Sequence, residues 1–367
     1  MRVHVVDPPA YTPPYDHALC SALARAGAQV ELFTSRFGYG AVPRATAYRR
    51  HDTAFYRHAP GRPGSRLRRA ARFAQHVPDM RTFARGAPRT ADVVHLQWLT
   101  VPEVDALLLP RGVPLVLTAH DVVPREPRRG QLAAWRRLLA RMDAVVVHSE
   151  HGRDRLVGEL GVPAGRVRVI PHGAFDHLAH VPSARPLPPE LAAVEVPVVL
   201  CFGLIRPYKG VDVLLEAWRE VQGAELWIVG LPKLDLAPLR ARAPSSVRFV
   251  DRFVGDDEVA GFFDRADLVV LPYREIDQSG VLFTALAFGR PLLLSAVGGF
   301  PEIAASGAAR TVPPGDPVAL AGALGELLAD RPARERLSAA ARRLSDGPLS
   351  WDAVARQHMG LYAELVA

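Results

Sequence analysis

Residues 196–216 read VPVVLCFGLIRPYKGVDVLLE, an apolar run that ends in a glycine, a short basic loop and an apolar helical pattern. The run 196–202 has the length and β-branched content of a strand covered on both faces, as in a parallel sheet packed between helices. Gly203 lets the backbone turn. Arg206 and Lys209 flank Pro207 and Tyr208 in one loop at the carboxyl end of that strand, where open α/β sheets bind ligands. After Gly210, the apolar residues Val211, Leu214, Leu215 and Trp218 follow the helical period. Composition makes the lysine informative: of 45 basic residues only Lys209 and Lys233 are lysine. A compact ammonium beside a planar guanidinium is a phosphate-clamping combination, while the plain alternative is two surface cations on a solvated loop.

The alternation of strand and helix continues in both directions. Upstream, strands are predicted at 2–6, 29–33, 92–96, 114–118, 144–148 and 167–170, with helices at 17–26, 101–109 and 131–141. Downstream, they are predicted at 225–229, 247–250, 268–271 and 291–295. This pattern predicts α/β architecture with parallel sheets wound on both faces. Residues 171–191, PHGAFDHLAHVPSARPLPPEL, are proline-rich and aperiodic, the signature of a linker. The predicted division is therefore a first domain over 1–175, a linker over 176–195, a second domain over 196–350 and a terminal amphipathic helix over 351–367. Two sheets joined by one linker imply a cleft between them, a usual place for a large substrate.

At 367 residues and 49% hydrophobic content the chain can bury a core in each domain. Cys20 and Cys201 fall in different predicted domains without metal-ligand spacing, so neither a disulfide framework nor a zinc site is expected, and a reducing cytoplasm fits. The first residues read directly as a strand, so no signal peptide is expected, and no apolar run approaches the ~20 residues needed to span a bilayer. Charge is uneven: residues 1–185 carry +12 and residues 186–367 carry −5. Residues 35–64 read as irregular. After them Arg66, Arg68, Arg69, Arg72, Arg81, Arg85 and Arg89 lie on a helical stretch interrupted at Pro78, either a solvated face or a surface for an anionic membrane. The proline-rich loop after the first strand lacks a G-x-G-x-x-G turn, which argues against a nicotinamide or flavin dehydrogenase. Basic charge alone suggests nucleic acid, but no motif or aromatic stacking platform supports it.

A second stretch, LPYREIDQSGVLFTALAFGRPLLLSAVGGFPEI over 271–303, again reads as strand, polar loop and helix. Ser279, Gly280 and Val281 open that helix, and the unpaired amides of a helix N-terminus can hold a phosphate without a cation. The plain alternative is that Ser279 caps its helix. Three strands of the first half end close to a histidine, at His95, His120 and His148. His120, beside Asp121 in TAHDVVP, is the leading candidate of the three, and His95 and His148 read more simply as structural.

These stretches together resemble glycosyltransferase family 4, the retaining family of GT-B architecture. The residues that carry the resemblance are VIPHG (169–173), FGLIRPYKGVDVLLEA (202–217), LWIVG (226–230), ADLVVLPY (266–273), QSGVLFTALAFGRPLLLSAVGGFPEI (278–303) and a terminal helix opening with SW. It implies two Rossmann-like domains facing a cleft, with the terminal helix returning to the first. The implied activity is metal-independent, retaining transfer of a sugar from a nucleotide-diphosphate sugar, UDP- or GDP-linked, to a hydroxyl acceptor in glycan, polysaccharide or glycolipid synthesis. No bound cofactor is implied beyond the sugar nucleotide as co-substrate. Arg206 and Lys209 match the diphosphate-neutralising pair, and His120 matches a histidine that faces the sugar. Gly203, Ser279, Gly280 and Val281 fall where the diphosphate is held, and Gly230 and Phe253 near the base. Tyr15, Asp16 and Asp121 are the acceptor-side candidates; the basic first half suggests a lipid-linked or anionic acceptor with peripheral contact at the inner face of the membrane, and a soluble metabolite is the alternative.

The sequence also departs from that family. Two glutamates usual in it are replaced by Ile276 and Thr284, so Glu275 and Asp277 become candidates for sugar contact and Thr284 a weak substitute at the ribose. The arginine usual directly after the glycine is Leu204, and the first loop reads PPYD where relatives have a glycine pair. The competing readings are a GT-B partner protein that binds nucleotide without turnover, and a phosphate-dependent glycoside phosphorylase.

Overall fold

The computed structural model describes residues 1–38, 40–62, 65–123, 130–180 and 185–367. The chain divides into two units, Met1–Gly173 together with Trp351–Ala367, and Ala174–Ser350.

The first unit contains β1 (Arg2–Asp7), β2 (Gln29–Thr34), β3 (Arg49–His51), β4 (Val93–Leu96), β5 (Leu115–Thr118), β6 (Ala144–Val147) and β7 (Val167–Val169). They form one parallel sheet in the order β3-β2-β1-β4-β5-β6-β7. The strand order reverses between β1 and β4, so the loops leaving those strands open a crevice at the carboxyl edge of the sheet. The helix Pro13–Arg25 starts four residues before the predicted 17, because Pro13 and Pro14 fit the first helical turn, where no N–H is needed. Tyr15 and Asp16 therefore lie on a helix and not in a loop. The helix Arg66–Thr90 runs through Pro78, which the sequence suggested would interrupt it. β3 lies within the stretch read as irregular; it is a three-residue edge strand, RRH, with no apolar alternation to betray it.

The second unit contains β8 (Val198–Phe202), β9 (Glu225–Val229), β10 (Val247–Val250), β11 (Leu268–Leu271), β12 (Leu292–Ser295) and β13 (Ala309–Val312). Its parallel sheet has the order β10-β9-β8-β11-β12-β13 and reverses between β8 and β11. Side chains alternate between two cores. Val198 and Leu200 join Val269, Leu271, Leu292 and Leu294 on one face, and Val199 and Cys201 join Leu268, Val270 and Leu293 on the other. Burial on both faces is why these strands read as unbroken apolar runs. β13 was not anticipated: ARTV has only two apolar residues in register.

The stretch 176–195 does not act as a free linker. Ala174, Leu178 and Leu191 are buried in the core of the second unit, and Phe175 N donates to the Phe283 carbonyl at 3.4 Å. Residues 181–184 of that stretch lie outside the described residues. The terminal helix Trp351–Val366 packs in the first unit through Trp351, Val354, Ala355, His358, Leu361 and Tyr362. Gly173 makes room for it: a Cβ there would come within 2.5 Å of the Trp351 indole. His95, on β4, bonds the Tyr362 hydroxyl at 2.6 Å and the Thr118 hydroxyl at 2.7 Å and is completely buried, so it fastens this helix and faces no ligand.

Candidate active site

In the second unit the loops after β8 (203–210) and β11 (272–279) meet at the point where the strand order reverses. Three glycines permit close approach here. A Cβ on Gly210 would lie 2.0 Å from the Pro272 carbonyl oxygen, and one on Gly230 would lie 2.0 Å from that of Gly203. Gly203 has φ +101, and a Cβ on it would stand 2.9 Å from Val281 Cγ2 and 3.1 Å from Lys209 Nζ. A bare backbone, an ammonium and a helix start thus converge at one place. Arg274 fixes the loops to each other: its N–H donates to Tyr208 O at 2.8 Å, and its guanidinium grips Asp212 at 2.6 and 2.9 Å.

Lys209 is only 8% exposed. Its ammonium donates to the Tyr273 hydroxyl at 2.9 Å, and that hydroxyl lies 3.4 Å from Ser279 Oγ. Arg206 stands at the start of the short 3-10 turn Pro207–Lys209. Its Nε is buried and has no hydrogen-bond partner among the described residues. The side chain of Ser279 does not cap the helix Gly280–Ala287, so the amides of Gly280 and Val281 keep the open valence of a helix N-terminus. Buried cationic N–H groups and unpaired amides at one sheet edge are what an anion offsets best.

The other second-unit candidates are placed as follows. Gly230 N donates to Val250 O at 2.9 Å, which ties the loop after β9 to the end of β10, and Phe253 follows on the next loop, 52% exposed as a residue. Glu275 is exposed and Asp277 is buried; a Cβ on Gly298 would strike the Ile276 carbonyl at 1.8 Å, so this loop is pressed onto a glycine turn. Ile276 packs against the core. Thr284 is buried, and its hydroxyl donates to Gly280 O at 3.0 Å, leaving only its lone pairs for a ligand.

The first unit gathers a different set of groups. His120 leaves the end of β5, Gln97 and Trp98 the end of β4, His148 the end of β6 and His172 the end of β7. The His120 ring stacks on Trp98 at 4.9 Å with 11° between the planes. Tyr15 meets it edge-on at 4.7 Å and also touches His172 and Trp351 at 4.8 and 5.1 Å. Tyr15, expected as an acceptor contact, is 1% exposed and holds the cluster from behind. Burial, then the neighbouring His148, His172 and His95, hold His120 well below the ordinary histidine range, and burial pushes His148 down to about 4. The cluster is neutral at pH 7. Among the described residues no three His, Cys, Asp or Glu side chains form a metal-holding group.

Asp16 is also buried, next to the buried Asp7. Burial pushes Asp7 up to about 6 and Asp16 well above the carboxylate range. Two buried carboxyls side by side cannot both ionise cheaply. Asp16 also lines a cavity of about 300 Å³ with Arg36, Tyr48 and Arg50. Asp121, next to His120, is partly exposed.

Sequence reading had not singled out Gln97, Trp98, His172 or Tyr273. Their importance depends on partners far away in the chain, although His172 lies in VIPHG and Tyr273 ends ADLVVLPY.

The class defined by two parallel α/β units with a phosphate-type loop pair in the second is the GT-B fold, and comparison with known proteins supports it. Residues 15–174 match the model described as Glycosyltransferase Family 4, and residues 196–330 match Glycosyl transferases group 1. The chain belongs to glycosyltransferase family 4. It is 30% identical over 226 residues to the GDP-mannose:glycolipid 4-beta-D-mannosyltransferase of Xanthomonas campestris pv. campestris, covering 55% of this chain and 60% of that protein. It is 28% identical to the D-inositol 3-phosphate glycosyltransferase of Xylanimonas cellulosilytica, covering 94% of this chain and 89% of that one. Among solved structures, sucrose-phosphate synthase from Thermosynechococcus elongatus superposes with a TM-score of 0.76 at 22% identity, covering 100% of this chain and 99% of the other. Among the described residues no helix is long and apolar enough to cross a membrane.

Proposed function

We propose that this glycosyltransferase takes its sugar from a nucleotide-diphosphate donor held by the second unit, and passes it to a hydroxyl acceptor bound by the first. The observation that carries this reading is the convergence of Gly203, Lys209 and Val281, with the unpartnered Arg206 Nε in the same loop. As the glycosidic bond to the donor breaks, negative charge grows on the leaving diphosphate. Arg206, Lys209 and the amides of Gly280 and Val281 are preorganised to stabilise it, with no reorganisation needed at that moment. Phe253 offers an exposed ring on which a base can stack, beside the Gly230 turn. A donor containing GDP is named for the Xanthomonas relative, so UDP and GDP sugars are the first to try.

In this reading transfer is retaining and needs no metal. The acceptor attacks from the face the diphosphate leaves, and a leaving phosphate oxygen takes the acceptor proton. The relatives' names include a β product for the mannosyltransferase and an α product for the kanosaminyltransferase of Streptomyces kanamyceticus, so the anomeric outcome has to be measured. The acceptor in this reading is lipid-linked or anionic. The helix Arg66–Thr90 exposes Leu67 and Phe73 at 62% and 65% among its arginines, a surface suited to peripheral contact with an anionic membrane in the cytoplasm.

The test is a panel of nucleotide sugars with product configuration read by NMR. Sugar transfer with the donor's configuration kept is the expected result. Inversion would overturn the same-face mechanism. Turnover that requires orthophosphate instead of a nucleotide would favour a phosphorylase. Nucleotide binding without turnover would favour an inactive partner, with Ile276 and Thr284, at the positions of the usual glutamates, as the reason.

A further inference from the structure

The rings of His148 and His120 and the amide of Gln97 form a line of hydrogen bonds whose protons can be assigned one by one. His148 Nδ1 lies 2.9 Å from the Ile170 carbonyl oxygen. An oxygen of that kind only accepts, so Nδ1 carries the hydrogen. The ring is buried and neutral, so its Nε2 is bare. His120 Nδ1 lies 3.4 Å from that bare nitrogen and must be the donor of the pair. His120 is neutral as well, which leaves its Nε2 bare.

Gln97 faces that atom at 3.1 Å. With Oε1 toward the ring, two acceptors would oppose each other, and Gln97 Nε2 would stay buried without a partner. Turning the amide by 180° removes the opposed acceptors: its N–H donates to His120 Nε2, and the oxygen and nitrogen of such an amide are told apart only by their hydrogen bonds. Gln97 is 1% exposed, so water does not relieve the misfit.

We infer that His148 is a positioning residue: by accepting from His120 Nδ1–H it fixes the His120 tautomer whose Nε2 keeps its one lone pair, which the Gln97 N–H occupies here and which a sugar or acceptor hydroxyl takes over by displacing Gln97. Trp98 and Tyr15 hold the plane of the ring, and His148 decides which nitrogen can accept. The titratable groups that face the His120 ring are Tyr15, His148, His172 and His95, and Asp121 follows it in the chain. This inference rests on the glycosyl-transfer reading for its consequence, but the tautomer stands without it.

The experiment is ¹⁵N-labelled histidine NMR on the full chain at pH 7.5, with the variants His148→Gln and His148→Phe. Long-range ¹H–¹⁵N correlations are expected to show His120 protonated at Nδ1 in the wild type. His148→Gln, whose amide oxygen still accepts, should keep that tautomer. His148→Phe should lose it in favour of the Nε2-protonated form or a mixture. Thermal melting separates misfolding from tautomer change, because His148→Gln serves as the folded control in the same pocket. If donor turnover is found, kcat should fall about tenfold in His148→Phe with KM little changed, and recover in His148→Gln. A wild-type His120 protonated at Nε2, or a His148→Phe protein that keeps the Nδ1 form, would overturn the inference. If turnover is absent with every donor, the transfer reading fails while the NMR result still decides the tautomer.

Discussion

The two units are built on the same sheet order at their reversal points, yet they prepare opposite electrostatic environments there. At the edge of β8 and β11 the second unit holds permanent positive charge, with Lys209 8% exposed and Arg206 Nε lacking a partner. At the ends of β4, β5, β6 and β7 the first unit collects histidines that burial keeps neutral. The difference shows that topology selects the place, whereas the residues in the loops select the chemistry. A cationic, amide-rich edge suits a ligand that brings its own charge. A neutral, aromatic edge suits hydroxyls, which need hydrogen-bond acceptors that do not change state with small shifts of pH.

The strongest way to break the contrast is Lys209→Ala. Hydrogen bonds to charged groups contribute roughly 1.5–3 kcal/mol, so turnover should drop about ten- to a hundredfold, as measured by initial rates at saturating donor. An unchanged rate would mean that the loop pair does not stabilise the leaving group.

The next effect is the acid sensitivity of the first unit. A histidine whose folded pKa is depressed binds its proton more readily when unfolded, so stability is lost as pH falls from about 6.5 toward the folded value. His358 is completely buried and pushed down to about 4 by burial. His358→Phe should therefore recover up to about 3 kcal/mol of the stability that the wild type loses between pH 6.5 and 4. Urea titrations at the two pH values measure it, and a pH dependence identical to the wild type would show that His358 is not held neutral.

A smaller effect of opposite sign belongs to the buried carboxyl pair. Asp7 is raised, so its unfolded form ionises first and stability is lost as pH rises from about 3.8 through about 6. Asp16→Asn removes one of the two buried carboxyls and should stabilise the protein above pH 6. Equal melting of variant and wild type at pH 8 would show that burial of the pair does not raise its carboxyls. The smallest effect is expected from Arg274→Ala. Its ion pair with Asp212 is about two-fifths exposed on each side, and such pairs contribute no more than about 1 kcal/mol, so melting should shift little and a large loss would show that the clamp between the loops depends on it.

Much of the second unit was legible because its strands are buried on both faces. The alternation of β8 between two cores lies behind the unbroken apolar run, and Gly203, Arg206, Lys209 and Ser279 fall where the pattern placed them. Edge strands escaped: β3 has two arginines in three residues, and β13 has two apolar residues in four. Prolines misled twice. Pro78 lies inside a continuous helix, and the proline-rich stretch after Gly173 buries Leu178 and Leu191 in a core. Of the first-unit site, His120 was visible at a strand end, but the protons on its ring depend on Ile170, His148 and Gln97. That is a fact of three-dimensional proximity which periodicity does not encode.

The central claim is that the loop pair of the second unit is a diphosphate site. Its most direct test is thermal melting of the wild type and Lys209→Ala against UDP, GDP, ADP and dTDP. A ligand that binds only the folded state raises its melting temperature, by about 2.7 kcal/mol of stability at a hundredfold excess over Kd. A rise with one of these diphosphates that is lost in Lys209→Ala is the expected result. A flat response to all four, or a rise that survives in the variant, would contradict it.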